Sequence, residues 1–280
     1  MVTVNEYLSR STGTEGSLLI VKKIYDKLIE AVEKKRITRA DAAMVFGPAD
    51  IPGASIDVDL VTADSLSIKL IAEGAGIPID VVAYTSFNMK PQKYGVRPLI
   101  TKEMMEDGKW NLLEHNIMIA GKEMGENEDG LIVTQALDNA TNTVAGGSAI
   151  TIANITRAMQ YLEDTDYEAN TMYIGPEVLN DLRNIDTFVE ADKLGSTEML
   201  NNGFVGRLYG MTVKLISGNI ITSTYAYVFD KFQAFCIAEK RPVTIEKYDD
   251  VTHDISGATI TQRVIARQLR ADAICKITTS

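Results

Sequence analysis

The feature that most constrains this chain is an apolar repeat with helical spacing. It opens after Thr101 and runs through Trp110, Leu113, Ile117, Ala120, Met124, Leu131 and Val133 to Leu137. A helix of about 35 residues, rising 1.5 Å per residue, spans roughly 50 Å. Thr101 is a suitable N-cap, and Glu103 falls in the first turn, where the helix dipole favours a carboxylate. Gly108, Gly121, Gly125 and Gly130 interrupt the repeat, each at about 1 kcal/mol relative to Ala. The pattern therefore predicts a bend or break, near Gly125–Gly130. A rod of this length is a structural spine rather than a support for catalysis.

Other elements are read around that spine. Residues 1–16 are polar and rich in Ser, Thr and Gly, and read as an extended arm. From about Ser17, the residues Leu18, Val21, Ile24, Tyr25, Leu28, Ile29 and Val32 form one apolar stripe, which predicts a helix ending in Glu33-Lys34-Lys35-Arg36. Thr38 is placed to cap a second short helix over Ala40–Phe46. Two strands are predicted over Ser65–Ile71 and Ile79–Thr85, joined by Glu73-Gly74-Ala75-Gly76-Ile77-Pro78, as a long two-stranded loop projecting from a body. A third strand is predicted over Val96–Ile100. Beyond the spine come a helix from Ile150 to about Leu162, a buried strand Thr171–Ile174, and a helix Glu177–Arg183 begun by Gly175-Pro176. A turn bracketed by Gly206 and Gly210 then feeds a strand carrying Val213, Leu215 and Ile216. The tail alternates with a period of two, most clearly in Val243, Ile245, Lys247 and in Ile260, Gln262, Val264, and is read as strands throughout.

Composition limits the function classes. The net charge is −10, which argues against a surface covered in nucleic-acid-binding basic residues. The sign is uneven: residues 1–40 carry eight Lys/Arg against five Asp/Glu, a net +3, leaving −13 on the rest. No run approaches the roughly 18 apolar residues that span a bilayer, and MVTVNEYLSRSTGTEG lacks the basic-then-apolar pattern of a signal peptide. Cys236 and Cys275 are too few for a disulfide framework, so a reducing, cytosolic setting is expected. The catalytic motifs fail one by one. His115 and His253 lack partners at metal or triad spacing. Asp57-Val58-Asp59 aligns two carboxylates on one strand face, which reads as a wet face. Glu126, Glu128 and Asp129 read as solvent-facing charges. Gly74-Ala75-Gly76 lacks the third glycine and the following helix of a dinucleotide loop.

The order of elements resembles the major capsid proteins of tailed bacteriophages and related archaeal viruses, with the Hong Kong 97-type fold. KYGVRPLITKEMMED (93–107) resembles the strand and cap that open that family's spine helix, and ENEDGLI (126–132) its acidic end. TMYIGPEVLNDL (171–182) resembles the family's strand–Pro–helix unit. GRLYGMTV resembles its G-x-apolar-x-G-x-x-V element, and AYVFDKFQAF (226–235) the strand turn that re-enters the peripheral domain. The likeness spans roughly residues 60–280.

The resemblance implies an α+β fold. Its parts would be an N-terminal arm and helices (1–53), an extended loop (54–92), a peripheral domain (93–185 and 226–280, spine about 102–137) and an axial domain (186–225). It implies a non-enzymatic major capsid protein, without cofactor or metal, that self-assembles into an icosahedral shell around double-stranded DNA. Loop residues Lys69, Glu73, Gly74, Gly76 and Pro78 would meet a neighbouring subunit, and Gly206, Arg207, Tyr209 and Gly210 would meet others near the capsomer axis. Lys22, Lys23, Lys34, Lys35 and Arg36 are the candidates to face packaged DNA. Implied partners are further copies in pentamers and hexamers, a portal, a scaffolding protein and a decoration protein, with no membrane. The location would be the virion, with assembly in the host cytoplasm. Only about 16 polar residues precede the first helix, so a separate scaffold is expected, and covalent crosslinking through Lys69 or Lys90 is not. The alternatives are an encapsulin-like nanocompartment shell, and an acidic α+β enzyme using Asp57, Asp59, Glu103 and Glu106.

Overall fold

A computed structural model describes residues 25–33, 35–61, 66, 68–71, 73, 76–77, 79–107, 112–185, 204–250 and 252–279. Helix α1 (25–33) leads through a single 3-10 turn, Arg39–Asp41, to strand β1 (Met44–Phe46). Among the described residues, strands β2 (Ile56–Val61) and β3 (Tyr84–Met89) pair only with each other, antiparallel. Then follow β4 (Gln92–Val96), β5 (Leu99–Thr101), α2 (Lys102–Asp107) and α3 (Leu112–Gln135). The second half holds β6 (Asn142–Gly147), α4 (Ile152–Glu163), β7 (Thr171–Ile174) and α5 (Pro176–Arg183). It continues with β8 (Phe204–Leu208), β9 (Met211–Leu215), β10 (Tyr225–Phe229), β11 (Phe235–Asp250), β12 (Ile255–Gln268) and β13 (Ile274–Thr279).

A five-stranded sheet is built on the long β11–β12 hairpin. β1 lies parallel to β11 on one side, and β4 and β5 both lie antiparallel to β12 on the other. The second sheet runs β6-β13-β10-β7-β9-β8. Helix α3 lies on the hairpin sheet, where Ile117, Ala120 and Met124 meet Val243, Ala258 and Ile260. Helices α4 and α5 cover the six-stranded sheet, with Ile155, Ala158, Leu162, Val178 and Leu182 packed against Met172, Val213, Val228 and Ile277. Between the sheets a shared apolar layer joins Ile132 and Val133 of the spine, and Leu137 in the 3-10 turn just beyond it, to Tyr173, Phe229, Phe235 and Ile237. The rings of Tyr173 and Phe229 meet edge to face at 4.8 Å, a favoured aromatic geometry.

Several expectations differ from this arrangement, each for a physical reason. The spine does not break at Gly125–Gly130, since α3 is continuous from Leu112 to Gln135. Its glycines are used for close approach instead. A Cβ on Gly121 would lie 3.0 Å from Leu28 Cδ1, and one on Gly125 would lie 3.0 Å from the Val32 carbonyl oxygen. Helix α1 therefore rests directly on the spine backbone, burying Leu28, Ala31 and Val32.

Thr38 stands at the N-cap position of the single 3-10 turn Arg39–Asp41 without a side-chain cap bond: its hydroxyl donates to Asp129, and residues 44–46 join β11 as a strand. The expected strand Val96–Ile100 is divided at Pro98, which lacks the N–H a continuous ladder needs. The loop strands lie at the base of the loop, at 56–61 and 84–89, so that only residues 84–85 of the expected strands fall in one, and the described residues among 65–71 and 79–83 do not. There Val58 and Met89 reach a buried cluster with Cys236 and Leu269, whereas the described residues farther out find nothing to pack on. The boundaries drawn at 185/186 and 225/226 pass through the six-stranded sheet, because β7, β10 and β13 pair in it with β9 or with one another. Strand partners this distant in sequence leave no local signal.

Candidate assembly surfaces

The loop beyond β2 and β3 inverts the usual rule of burial. Leu66, Ile68 and Leu70 follow one another at a spacing of two, as do Ile77, Ile79 and Val81. In extended chain that spacing places each trio on one face. All six are exposed, Ile68 by 107%, Leu70 by 104% and Ile79 by 91%. Between the two runs Lys69 pairs with Asp80 at 3.4 Å, so the polar side chains hold the runs together and leave the apolar ones outward. Contiguous apolar surface of this kind on a single chain marks an interaction site. Of the predicted loop contacts, Lys69 is half exposed and ion-paired, Glu73 is exposed, and Gly76 is exposed with nothing packed against it. Gly74 and Pro78 lie outside the described residues.

The second surface is the tip of the β8–β9 hairpin. Leu208 faces Met211 in register, which leaves Tyr209-Gly210 as a two-residue turn. Both have positive φ, 49° and 86°, as a type I′ turn requires. Gly210 adopts this geometry freely, whereas Tyr209 is an unusual choice at a position that favours Asn or Asp. Its side chain is 47% exposed. Arg207 and Gly210 are exposed beside it, and Gly206 is half-buried.

The basic N-terminal segment divides in two. Lys22, Lys23 and Lys34 lie outside the described residues. Lys35 is half exposed and pairs with Glu126 at 2.8 Å, and Lys27 pairs with Glu114. Arg36 turns inward toward Glu128, 3.6 Å away, with its side chain only 15% exposed, so it has no free face for a polyanion.

Arg36 leads into a buried polar cluster that the sequence reading missed. Glu128 and Asp129 are buried, not solvent-facing. Asp129 accepts from the backbone N–H groups of Ile37 and Thr38 at 3.0 and 3.1 Å, and from the Thr38 hydroxyl at 2.6 Å. Burial raises its pKa above the ordinary carboxylate value, outweighing those donors. Arg39 forks between Glu128 at 3.0 Å and Glu239 at 2.5 Å, and Gln262 donates to both carboxylates at 2.9 Å. Burial alone would raise the Glu239 pKa, but the Arg39 hydrogen bond and charge leave it lowered. Asp41 accepts from the Tyr173 hydroxyl and from Lys214, each at 2.6 Å. A signal for this cluster was present: Gly121, Gly125 and Asp129 are spaced by four, as are Ala120, Met124 and Glu128, so Asp129 continues the row that meets α1 and Glu128 the row that lies on the hairpin sheet.

No arrangement suited to chemistry forms among the described residues. No group of three His, Cys, Asp or Glu side chains could hold a metal ion. Asp57 accepts from Asn88 on an exposed strand face. His253 pairs with Asp250 in an exposed turn. Cys236 and Cys275 are buried, and burial pushes both thiols up to about 12. No described helix is long and apolar enough to cross a membrane.

The chain thus combines a long helix on a hairpin sheet, a second sheet and a two-stranded loop. Solved structures share this fold. A solved structure from Microbacterium phage Oxtober96 is similar, with a TM-score of 0.69 at 14% identity, over 88% of this chain and 91% of that one. The capsid of a native GTA particle gives 0.65 at 14% identity, over 87% and 90%. A virus-like particle from Pyrococcus furiosus gives 0.60 at 14% identity, over 92% and 99%. No curated protein matches in sequence. The sequence pattern of the phage capsid protein family matches residues 84–277, and the chain belongs to that family. It is a capsid shell protein of the Hong Kong 97 type, structural and non-enzymatic.

Proposed function

We propose that copies of this chain self-assemble into an icosahedral shell, as pentamers and hexamers, enclosing double-stranded DNA. The observation that carries the reading is the one-sided apolar loop around Ile68, Leu70 and Ile79, nearly bare in the single chain. In a capsid family member a neighbouring copy is the cover such a surface needs. The loop, residues 54–92, lies over that neighbour, with Lys69, Glu73, Gly74, Gly76 and Pro78 near the contact. The Tyr209 hairpin, with Gly206, Arg207 and Gly210, meets other copies about the capsomer axis. Modest contacts repeated by symmetry suffice to hold such a shell. The net −13 outside residues 1–40 repels a packaged polyanion and lets it slide, without sequence-specific contacts. Lys22, Lys23, Lys34 and Lys35 supply the basic inner touch, while Arg36 serves the fold. A portal and a separate scaffold complete assembly in the host cytoplasm.

Size-exclusion chromatography with negative-stain electron microscopy of the purified chain tests this. Closed shells or five- and six-fold rings are expected, formed alone or after adding a scaffold. A persistent monomer or dimer under both conditions overturns it. Shells that hold enzyme cargo and exclude nucleic acid would replace the viral role by that of a nanocompartment.

A further inference from the structure

Residues 36–41 cross the junction of three bodies. They leave α1 on the spine helix, pass between the two sheets, and reach β1. Ile37 packs on the apolar layer between the sheets, and the other contacts that hold them are polar. Asp129 on the spine accepts from Ile37 and Thr38. Arg39 reaches Glu128 on the spine and Glu239 on β11, with Gln262 of β12 bridging those carboxylates. Asp41 is bound by Tyr173 on β7 and Lys214 on β9, strands of the other sheet. The Thr38 carbonyl accepts from the Asp41 N–H at 3.0 Å and from the Tyr173 hydroxyl at 3.4 Å.

We propose that residues 36–41 form a coupling peg, through which the docking of α1 on the spine controls the contact between the two sheets. Two physical points support it. The peg is a single tight turn, Arg39–Asp41, so a shift entering at Arg36 has no slack in which to dissipate before Asp41. Its carboxylates are also buried and take their donors in this one arrangement, although Gln262 Oε1 and Arg36 Nε have no partner among the described residues; a partial slip would leave a buried carboxylate without donors, which opposes intermediate positions and favours two discrete ones. Helix α1 is held more lightly than the peg. Leu28, Ala31 and Val32 are its buried apolar residues among those described, and its flanking ion pairs, Lys27–Glu114 and Lys35–Glu126, are partly exposed. A displacement of α1 therefore reaches the six-stranded sheet, whichever partner causes it.

Hydrogen exchange on the full chain, as it purifies, tests the peg. Leu28→Ala weakens α1 docking; should it fail to fold by thermal melt, the double change Lys27→Ala with Lys35→Ala loosens the same helix more gently. Exchange is expected to rise by roughly tenfold or more in 25–35 and also in 171–174 and 211–215. With Asp41→Asn present, the second rise is expected to become independent of Leu28. A rise confined to 25–35, or one that reaches β7 and β9 equally with and without Asp41, overturns the proposal. The outcome does not depend on whether shells form, so it stands or falls apart from the assembly reading.

Discussion

Two regions of this molecule reverse the ordinary placement of side chains, in opposite senses. At the C-terminal half of the spine, Glu128 and Asp129 are buried with Arg39, Glu239 and Gln262 around them. On the projecting loop, Ile68, Leu70, Ile79 and Val81 stand in solvent. The first region is closed: each acid finds its donors within the chain, so the cost of burying charge is met internally. The second is open: its polar side chains pair with each other, as Lys69 does with Asp80, and its apolar face has no partner within the described chain. The contrast teaches which surface is finished by folding and which is finished only by another copy.

The largest effect that could break this contrast lies on the loop. Each large apolar side chain covered by a neighbour contributes about 1.5–3 kcal/mol to assembly. Ile68→Asp with Leu70→Asp is expected to abolish shells in electron micrographs while changing the unfolding free energy of the unassembled chain in urea by no more than about 0.5 kcal/mol. Normal shells from this variant would show that the loop face is not an interface. On the buried side, Glu128→Ala leaves Arg39 with one carboxylate fewer in a largely buried site, and a loss of about 3–5 kcal/mol in urea unfolding is expected. A loss below about 1 kcal/mol would mean that the cluster behaves as a surface ion pair.

How far the sequence foretold these regions depends on what each rests upon. The spine was legible because a helix writes its periodicity locally, in Ile117, Ala120 and Met124. The strand–helix unit over Thr171–Arg183 was legible for the same reason, with Pro176 marking the helix start. The unbroken passage through Gly125 was not, since helix propensity counts the cost of a glycine and cannot see that α1 requires one there. The two-sheet pairing was hidden because β7 meets β9, β10 meets β13 and β6 meets β13 across long stretches of chain. Of the candidate surface, the loop and the Gly206–Gly210 hairpin were placed from pattern and resemblance. The acid cluster was misread as solvent-facing, although its spacing of four from Gly121 and Ala120 offered the clue.

Acidity sharpens the contrast within the buried cluster itself, with a smaller effect. The folded pKa of Glu239 is lowered, so its contribution is present above its ordinary value of 4.5 and is lost as pH falls through the folded pKa. That of Asp129 is raised above 3.8, so in the window between 3.8 and its folded pKa stability rises as pH falls. Urea midpoints between pH 7 and pH 3.5 are therefore expected to fall less in Glu239→Gln than in the native chain, and to fall more in Asp129→Asn. Slopes that change in the same direction in both variants would contradict the division of roles.

The smallest effect concerns Tyr209, where folding and assembly pull in opposite directions. Its φ of 49° and that of Gly210, 86°, define a turn that Asn-Gly would fill with less strain. A half-exposed tyrosine at such a position is poorly explained by the needs of the single chain, and well explained if its ring is kept for contact with another copy. Tyr209→Asn is expected to stabilise the unassembled chain by up to about 1 kcal/mol while raising the protein concentration at which shells appear. A variant that is more stable and assembles as readily would remove the hairpin from the assembly surface and leave the loop to supply it. A variant that is less stable would show that the ring packs within its own chain, placing Tyr209 with the closed region and not with the open one.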